Sequence, residues 1–126
     1  MSTDPERHAP KRVLLVEDEM MVAMLVEDIV AELGHEVTAS AAHLDEALAL
    51  AQSGDFDLAI LDLNLGGDRS VAVADVLAKR RIPFLFASGY GAGGLPPEHR
   101  DAVVVQKPFA THDLSAAVDK VLLKAA

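Results

Sequence analysis

Four apolar runs in this chain end in residues that could act together on a phosphoryl group. Glu17, Asp18 and Glu19 follow RVLLV, and Asp62 follows DLAIL. Ser88 and Gly89 follow PFLFA, and Gln106, Lys107, Pro108 and Phe109 follow AVVV. Clustered carboxylates repel and raise one another's pKa unless a cation sits among them. Hard oxygen ligands with an open position suit Mg²⁺, which keeps several waters and also takes a phosphate oxygen. A carboxylate beside such an ion can attack phosphorus and form an acyl phosphate. The transferred group then needs a positive charge and a hydrogen-bond donor for its remaining oxygens, and Lys107 and Ser88 supply those. Singly, each residue has a plainer reading, since acids near strand ends cap helices and an isolated lysine is a solvated charge. Independent capping gives no reason for all four ends to be functionalised.

The elements that would position these residues are legible from periodicity. Residues 12–17 form a continuous β-branched apolar run, the mark of a strand buried on both faces. From residue 19 to 33 the period changes, and Val22, Leu25, Val26, Ile29, Val30 and Leu33 share one helix face stopped by Gly34. Residues 35–40 read as a weaker, more polar edge strand. Leu44, Ala47, Leu48 and Ala51 mark a second helix ended by Gly54, and residues 57–61 a third strand ending in Asp62. A Gly66-Gly67 turn precedes a helix over about 70–80 with Asp68 or Ser70 as N-cap. Residues 83–87 and 102–105 are two further strands. The last helix starts near Thr111 as N-cap and buries Leu114, Ala117, Val118, Val121, Leu122 and Ala125. Strands alternating with helices of this length imply right-handed crossovers and a doubly wound parallel sheet, α/β in class, with its site outside the carboxyl ends of the strands.

Composition excludes several function classes. The 126 residues allow one domain of ordinary size. There is no cysteine, so disulfide scaffolds, cysteine nucleophiles and cysteine-based zinc sites are ruled out. A net charge of −9 argues against direct binding of nucleic acid or an anionic membrane. No apolar stretch approaches the ~20 residues of a membrane span. Residues 1–10 lack the apolar centre of a signal peptide and read as a disordered lead-in, with a cytoplasmic location as the default. The five histidines show no metal-ligand spacing and read as surface or packing residues.

Over residues 11–126 the chain resembles the receiver domain of two-component response regulators. The resemblance is carried by VLLVEDE (13–19), LAILDLNLGG (58–67), PFLFASGYG (83–91) and QKPF (106–109), in this order and spacing. It implies a flavodoxin-like five-stranded parallel sheet, flanked by helices, with strand order 2-1-3-4-5. It implies Asp62 as phosphoacceptor and Asp18 as a direct Mg²⁺ ligand, with Glu17 acting through water. Asn64 would give its backbone carbonyl to the metal. Ser88 matches the hydroxyl that moves toward the phosphoryl group, Lys107 the lysine that pairs with it, and Pro108 the following, often cis, proline. Gly89 matches a small residue that leaves the group accessible. The implied function is a single-domain response regulator, phosphorylated by a histidine kinase or phosphotransfer protein and signalling to a downstream protein. It would be a self-catalysing acceptor with slow autodephosphorylation rather than a turnover enzyme. With the motifs placed, nothing in the 126 residues is left over for an output domain, so output by protein contact is expected.

The chain departs from the family's usual pattern in four places. Val104 stands where many receivers carry an aromatic switch residue. FASGYG resembles a stand-alone F-A-T-G-type subgroup, and Tyr90 beside the site reads as a lid or alternative switch. Four glycines and two prolines between 89 and 97 predict a fourth helix that is short or mobile. Met20, Met21 and Met24 cannot all be buried with Val22 and Leu25, and the exposed ones suit contact with a kinase helical bundle. Two other readings exist for these residues. An aspartate-nucleophile phosphatase needs a second aspartate where Asn64 stands, and an asparagine cannot donate and recover that proton. The other is a phosphorylation-independent interaction module with a receiver fold.

Overall fold

The structure, a computed structural model, describes residues 9–66, 68–89 and 94–125. Strands β1 (Arg12–Val16), β2 (Glu36–Ala41), β3 (Leu58–Asp62), β6 (Phe84–Ser88) and β7 (Val103–Gln106) form one parallel sheet. A small antiparallel hairpin, β4 (Asn64–Leu65) and β5 (Asp68–Arg69), follows β3. The helices are α1 (Met20–Glu32), α2 (Leu44–Ser53), α3 (Val71–Lys79) and α4 (Thr111–Ala125). The order β2-β1-β3-β6-β7 is the expected 2-1-3-4-5 when only the sheet strands are counted.

The central strands are apolar throughout because both faces are covered. Val13 and Leu15 of β1, Leu58 and Ile60 of β3, and Leu85 of β6 pack with α1 and α4 on one side. Leu14 and Val16, Ala59 and Leu61, and Phe86 pack with α2 and α3 on the other. The alternation follows from the two-residue period of a strand. β2 alternates exposed and half-buried residues, as an edge strand should.

Helix ends show what local chemistry decides. α1 stops in a Schellman motif at Gly34 (φ +87), where the His35 amide donates to the Val30 carbonyl and the Gly34 amide to Ala31. α3 ends in the same motif, with Ile82 donating to Leu77 and Arg81 to Ala78. There the left-handed position is held by Arg81 (φ +61), which carries a Cβ penalty that glycine avoids. Nothing in the sequence pattern marks that position. Gly54, by contrast, has ordinary φ, and its need for glycine is spatial. A Cβ there would lie 2.2 Å from the Phe56 ring.

Three expectations are corrected and a fourth is refined. Leu25 is 43% exposed rather than on the buried face of α1. Thr111 is the first residue of α4 and not its cap. The Ala110 carbonyl accepts the Asp113 and Leu114 amides, and the Asp113 carboxylate accepts the Ala110 amide, half of a capping box. Ser70 is the N-cap residue of α3, as one of the two expected alternatives, but its side chain makes no cap hydrogen bond. Asp68 lies in β5 and not at a helix start, and Gly66, after β4, has φ +55, while Gly67 lies outside the described residues. Among the described residues between β6 and β7, the helical element is one 3-10 turn, Pro97–His99. The lead-in expected over 1–10 falls mainly on residues 1–8, and Tyr90 falls on 90–93; both stretches lie outside the described residues.

Candidate functional site

The carboxyl ends of β1, β3, β6 and β7 meet on one rim because parallel strands all point the same way. In-register pairing sets Asp62 beside Ala87 and Ser88 beside Gln106. Lys107 follows β7, and its amide donates to the Ser88 carbonyl at 2.9 Å. The Lys107–Pro108 peptide bond is cis. Among the described residues, a Cβ built at Gly89 meets no heavy atom within 4 Å.

One carboxylate oxygen from each of Glu17, Asp18 and Asp62 lies within 4.8 Å of the others. Glu17 and Asp62 are buried, at 7% and 6% exposure, while Asp18 faces solvent. The Lys107 ammonium bridges the two buried acids, 3.0 Å from Glu17 Oε1 and 3.1 Å from Asp62 Oδ2. Glu19 Oε1 stands farther off, at 3.8 Å. The second Glu17 oxygen accepts the Glu19 amide, and Asp62 Oδ1 accepts the Asn64 amide at 3.2 Å. Each buried carboxylate is therefore oriented by one backbone donor and one shared cation.

The charge balance leans negative. Burial pushes the Glu17 carboxyl up to about 7, aided by the neighbouring Asp62 charge and opposed by the Glu19 amide and Lys107. Burial pulls Lys107 down, but its hydrogen bonds to Glu17 and Asp62 outweigh that and hold it above its ordinary value. One ammonium among three clustered carboxylates leaves a site that favours a further cation. Its oxygen-only donor set is the kind Mg²⁺ takes.

The residues singled out from sequence thus converge, with distinctions. Glu17, Asp18, Asp62 and Lys107 form the cluster itself. Asn64 is exposed in β4, opposite Arg69, and its amide touches Asp62. Ser88 is buried at the end of β6. Val104 is half-buried against the α2–α3 side of the core. Met20, Met21 and Met24 are exposed by 76%, 84% and 57% at the start of α1. Beside them a groove of about 320 Å³ is lined by Glu19, Val22, Leu25, Lys107, Pro108 and Phe109.

Two features had no sequence signal. The Ser70 hydroxyl donates to the backbone carbonyl of Asp62 at 2.7 Å. His99, in the 3-10 turn, packs edge-on against Phe84 and Phe86 and places Nε2 2.8 Å from Asp75 Oδ1. The Arg69 side chain also reaches the Gly94 carbonyl, which joins the hairpin to the segment carrying His99.

Comparison with known proteins agrees with this fold. The family described as "Response regulator receiver domain" matches residues 13–119. The solution structure of SdrG from Sphingomonas melonis Fr1 superposes with a TM-score of 0.80 at 39% identity, covering 91% of this chain and 98% of that one. The crystal structure of the response regulator PhyR from Brucella abortus gives 0.81 at 30% identity, covering 94% of this chain but 50% of PhyR. The transcriptional regulatory protein PdtaR of Mycobacterium tuberculosis is 30% identical over 122 residues, 94% of this chain and 60% of PdtaR. The chain therefore spans about half to three-fifths of the longer relatives. No described helix is long and apolar enough to cross a membrane.

Proposed function

The chain belongs to the response regulator receiver family, and from that premise we propose that Asp62 accepts a phosphoryl group from a phosphohistidine donor in a Mg²⁺-dependent reaction. The family is one of signalling modules rather than turnover enzymes. The observation that carries the proposal is the Lys107 ammonium held between Asp62 and Glu17 inside a carboxylate cluster.

Glu17, Asp18 and Asp62 would hold the ion, Asp18 directly and Glu17 through water, together with the Asn64 carbonyl. Bound Mg²⁺ supplies a Lewis acid that offsets the charge of these carboxylates and of the incoming phosphoryl oxygens. The protein's own residues do the rest. The Asn64 amide on Oδ1 fixes the plane of the Asp62 carboxylate, so that Oδ2 faces Lys107. The carboxylate forms the new O–P bond as the P–N bond to the donor imidazole breaks. Lys107 then offers its charge to the transferred group, and the Ser88 hydroxyl serves as its hydrogen-bond donor. Water reaching the acyl phosphate returns Asp62 slowly. The exposed methionines of α1 and the adjoining groove would receive a helix of the phosphotransfer partner. Tyr90 would serve as the lid or switch. The phosphorylated chain would then act on a downstream protein by contact.

An acyl phosphate differs chemically from a phosphoserine, and that difference tests the assignment. Label placed on the protein by acetyl phosphate is expected to be released by neutral hydroxylamine. Label that resists hydroxylamine would place the phosphoryl group on a hydroxyl such as Ser88, and Asp62 would not be the acceptor.

The metal assignment carries a pH dependence with a fixed sign. The folded-state pKa of Glu17 is about 7, above its ordinary value of 4.5. Between those values the metal-free folded state binds more protons than the unfolded state, so its stability falls as pH rises through the window. Over the same window a proton on Glu17 competes with Mg²⁺. Mg²⁺ affinity measured by calorimetry is expected to rise with pH up to about 7, by at most roughly tenfold per unit, and then level off. Affinity independent of pH between 5 and 7 would remove Glu17 from the ligand set.

A further inference from the structure

We infer that Ser70 is a positioning residue for phosphoryl transfer to Asp62, an inference that rests on the acceptor role proposed above. Ser70 is fully buried. It stands immediately before α3, where a serine hydroxyl ordinarily accepts an amide of the first helical turn. Here that bond is not made. The hydroxyl instead donates to the Asp62 carbonyl at 2.7 Å, eight residues back along the chain.

The consequence is a closed neck. The Ser70 amide donates to the Leu63 carbonyl at 3.0 Å while its hydroxyl holds the preceding carbonyl, that of Asp62. One residue therefore grips two successive peptide units at the point where β3 gives way to the hairpin. Above the neck, β4 and β5 pair Asn64 with Arg69 and Leu65 with Asp68. The Asn64 amide that orients Asp62 Oδ1 belongs to this hairpin. The aim of the acceptor carboxylate thus depends on a loop whose base is fastened by the Ser70 hydroxyl and amide, beside the Leu63 amide on the Ala87 carbonyl at 2.9 Å. Without the hydroxyl bond, the Asp62–Leu63 peptide keeps only its N–H bond to Ala87, the hairpin that carries the Asn64 amide loosens, and the hold on Oδ1 weakens. Ser70 touches neither the cluster carboxylates nor Lys107 in any contact described, so its effect is on alignment and not on ion or donor affinity.

The test compares wild type, Ser70→Ala and Val73→Ala. Val73 is fully buried one turn along α3, and its side chain is part of the α2–α3 core. Initial rates of labelling by acetyl phosphate are followed by intact mass at saturating Mg²⁺ over a range of donor concentrations, at a temperature where circular dichroism shows all three folded. Ser70→Ala is expected to lower the maximal rate by about 10- to 100-fold, with the half-saturating donor concentration unchanged. Val73→Ala is expected to keep the wild-type rate. Hydrogen exchange of the Asn64 amide is expected to quicken at least about tenfold in Ser70→Ala, with the β1 amides unaffected. A Ser70→Ala rate within about twofold of wild type overturns the inference and leaves Asp62 as acceptor. Equal slowing in Val73→Ala overturns it as well, since stability alone would then account for the effect. Unchanged Asn64 exchange overturns the closed neck. A wild-type protein that takes no label at all overturns the acceptor role and the inference together.

Discussion

Lys107→Met is expected to slow labelling of Asp62 by about 100- to 1,000-fold at saturating Mg²⁺. The ammonium is the cation that contacts both buried acids, at 3.0 and 3.1 Å. Methionine keeps much of the length and apolar stem of the side chain and removes only the charge and its donors. The transferred group then meets its largest concentration of negative charge without that compensation. In the metal-free protein the same change leaves Glu17 and Asp62 facing each other, so Glu17 should hold its proton to still higher pH. Labelling rates from intact mass spectra, beside a titration of the Glu17 carboxyl by carbon-detected NMR, read both effects. A rate within tenfold of wild type would show that Lys107 is a structural counterion and no part of the transfer.

Leu14→Ala is expected to lower stability by about 3–5 kcal/mol, the upper part of the range for buried leucine truncations. Leu14 is fully buried in the middle of the sheet. Its register partners are Ala39 on β2 and Ala59 on β3, both too small to extend into the vacated space. The leucine therefore fills volume that its neighbours do not, and the cavity should persist rather than collapse. For a domain of this size the melting temperature should fall by roughly 10–20 °C. Urea denaturation with an unchanged slope would confirm a loss of stability in a two-state transition. A loss below about 1.5 kcal/mol would mean that the α2–α3 side repacks freely, contrary to the close-packed core described here.

Much of this architecture could be read before any coordinates. The apolar runs of β1 and β3 lack alternation because helices cover both faces, and that pattern is visible at residue level. Gly34 announced the end of α1 because a left-handed residue is cheapest as glycine. Arg81 does the same at the end of α3 but carries no such mark, since the backbone bonds to Ala78 and Leu77 and the burial of Ile82 hold it there. Leu25 fits the helical period and still lies exposed, because periodicity locates a face without stating how wide the covering layer is. The acids and Lys107 were legible as a site because each ends a strand, and parallel strands bring their ends together. Ser70 was legible only as a cap. Its bond to Asp62 depends on the hairpin of residues 64–69 folding back, and two-residue strands leave little periodic trace. His99 was equally hidden, since its partners Asp75, Phe84 and Phe86 are 24, 15 and 13 positions away in sequence.

The central claim is that Asp62 is a Mg²⁺-dependent phosphoacceptor, and intact mass after incubation with acetyl phosphate reads it most directly. Wild type with Mg²⁺ is expected to gain one phosphoryl group. Wild type with the metal chelated, and Asp62→Ala with Mg²⁺, are expected to gain none. Labelling that survives Asp62→Ala, or a folded wild type that binds Mg²⁺ and stays unlabelled, would contradict the account.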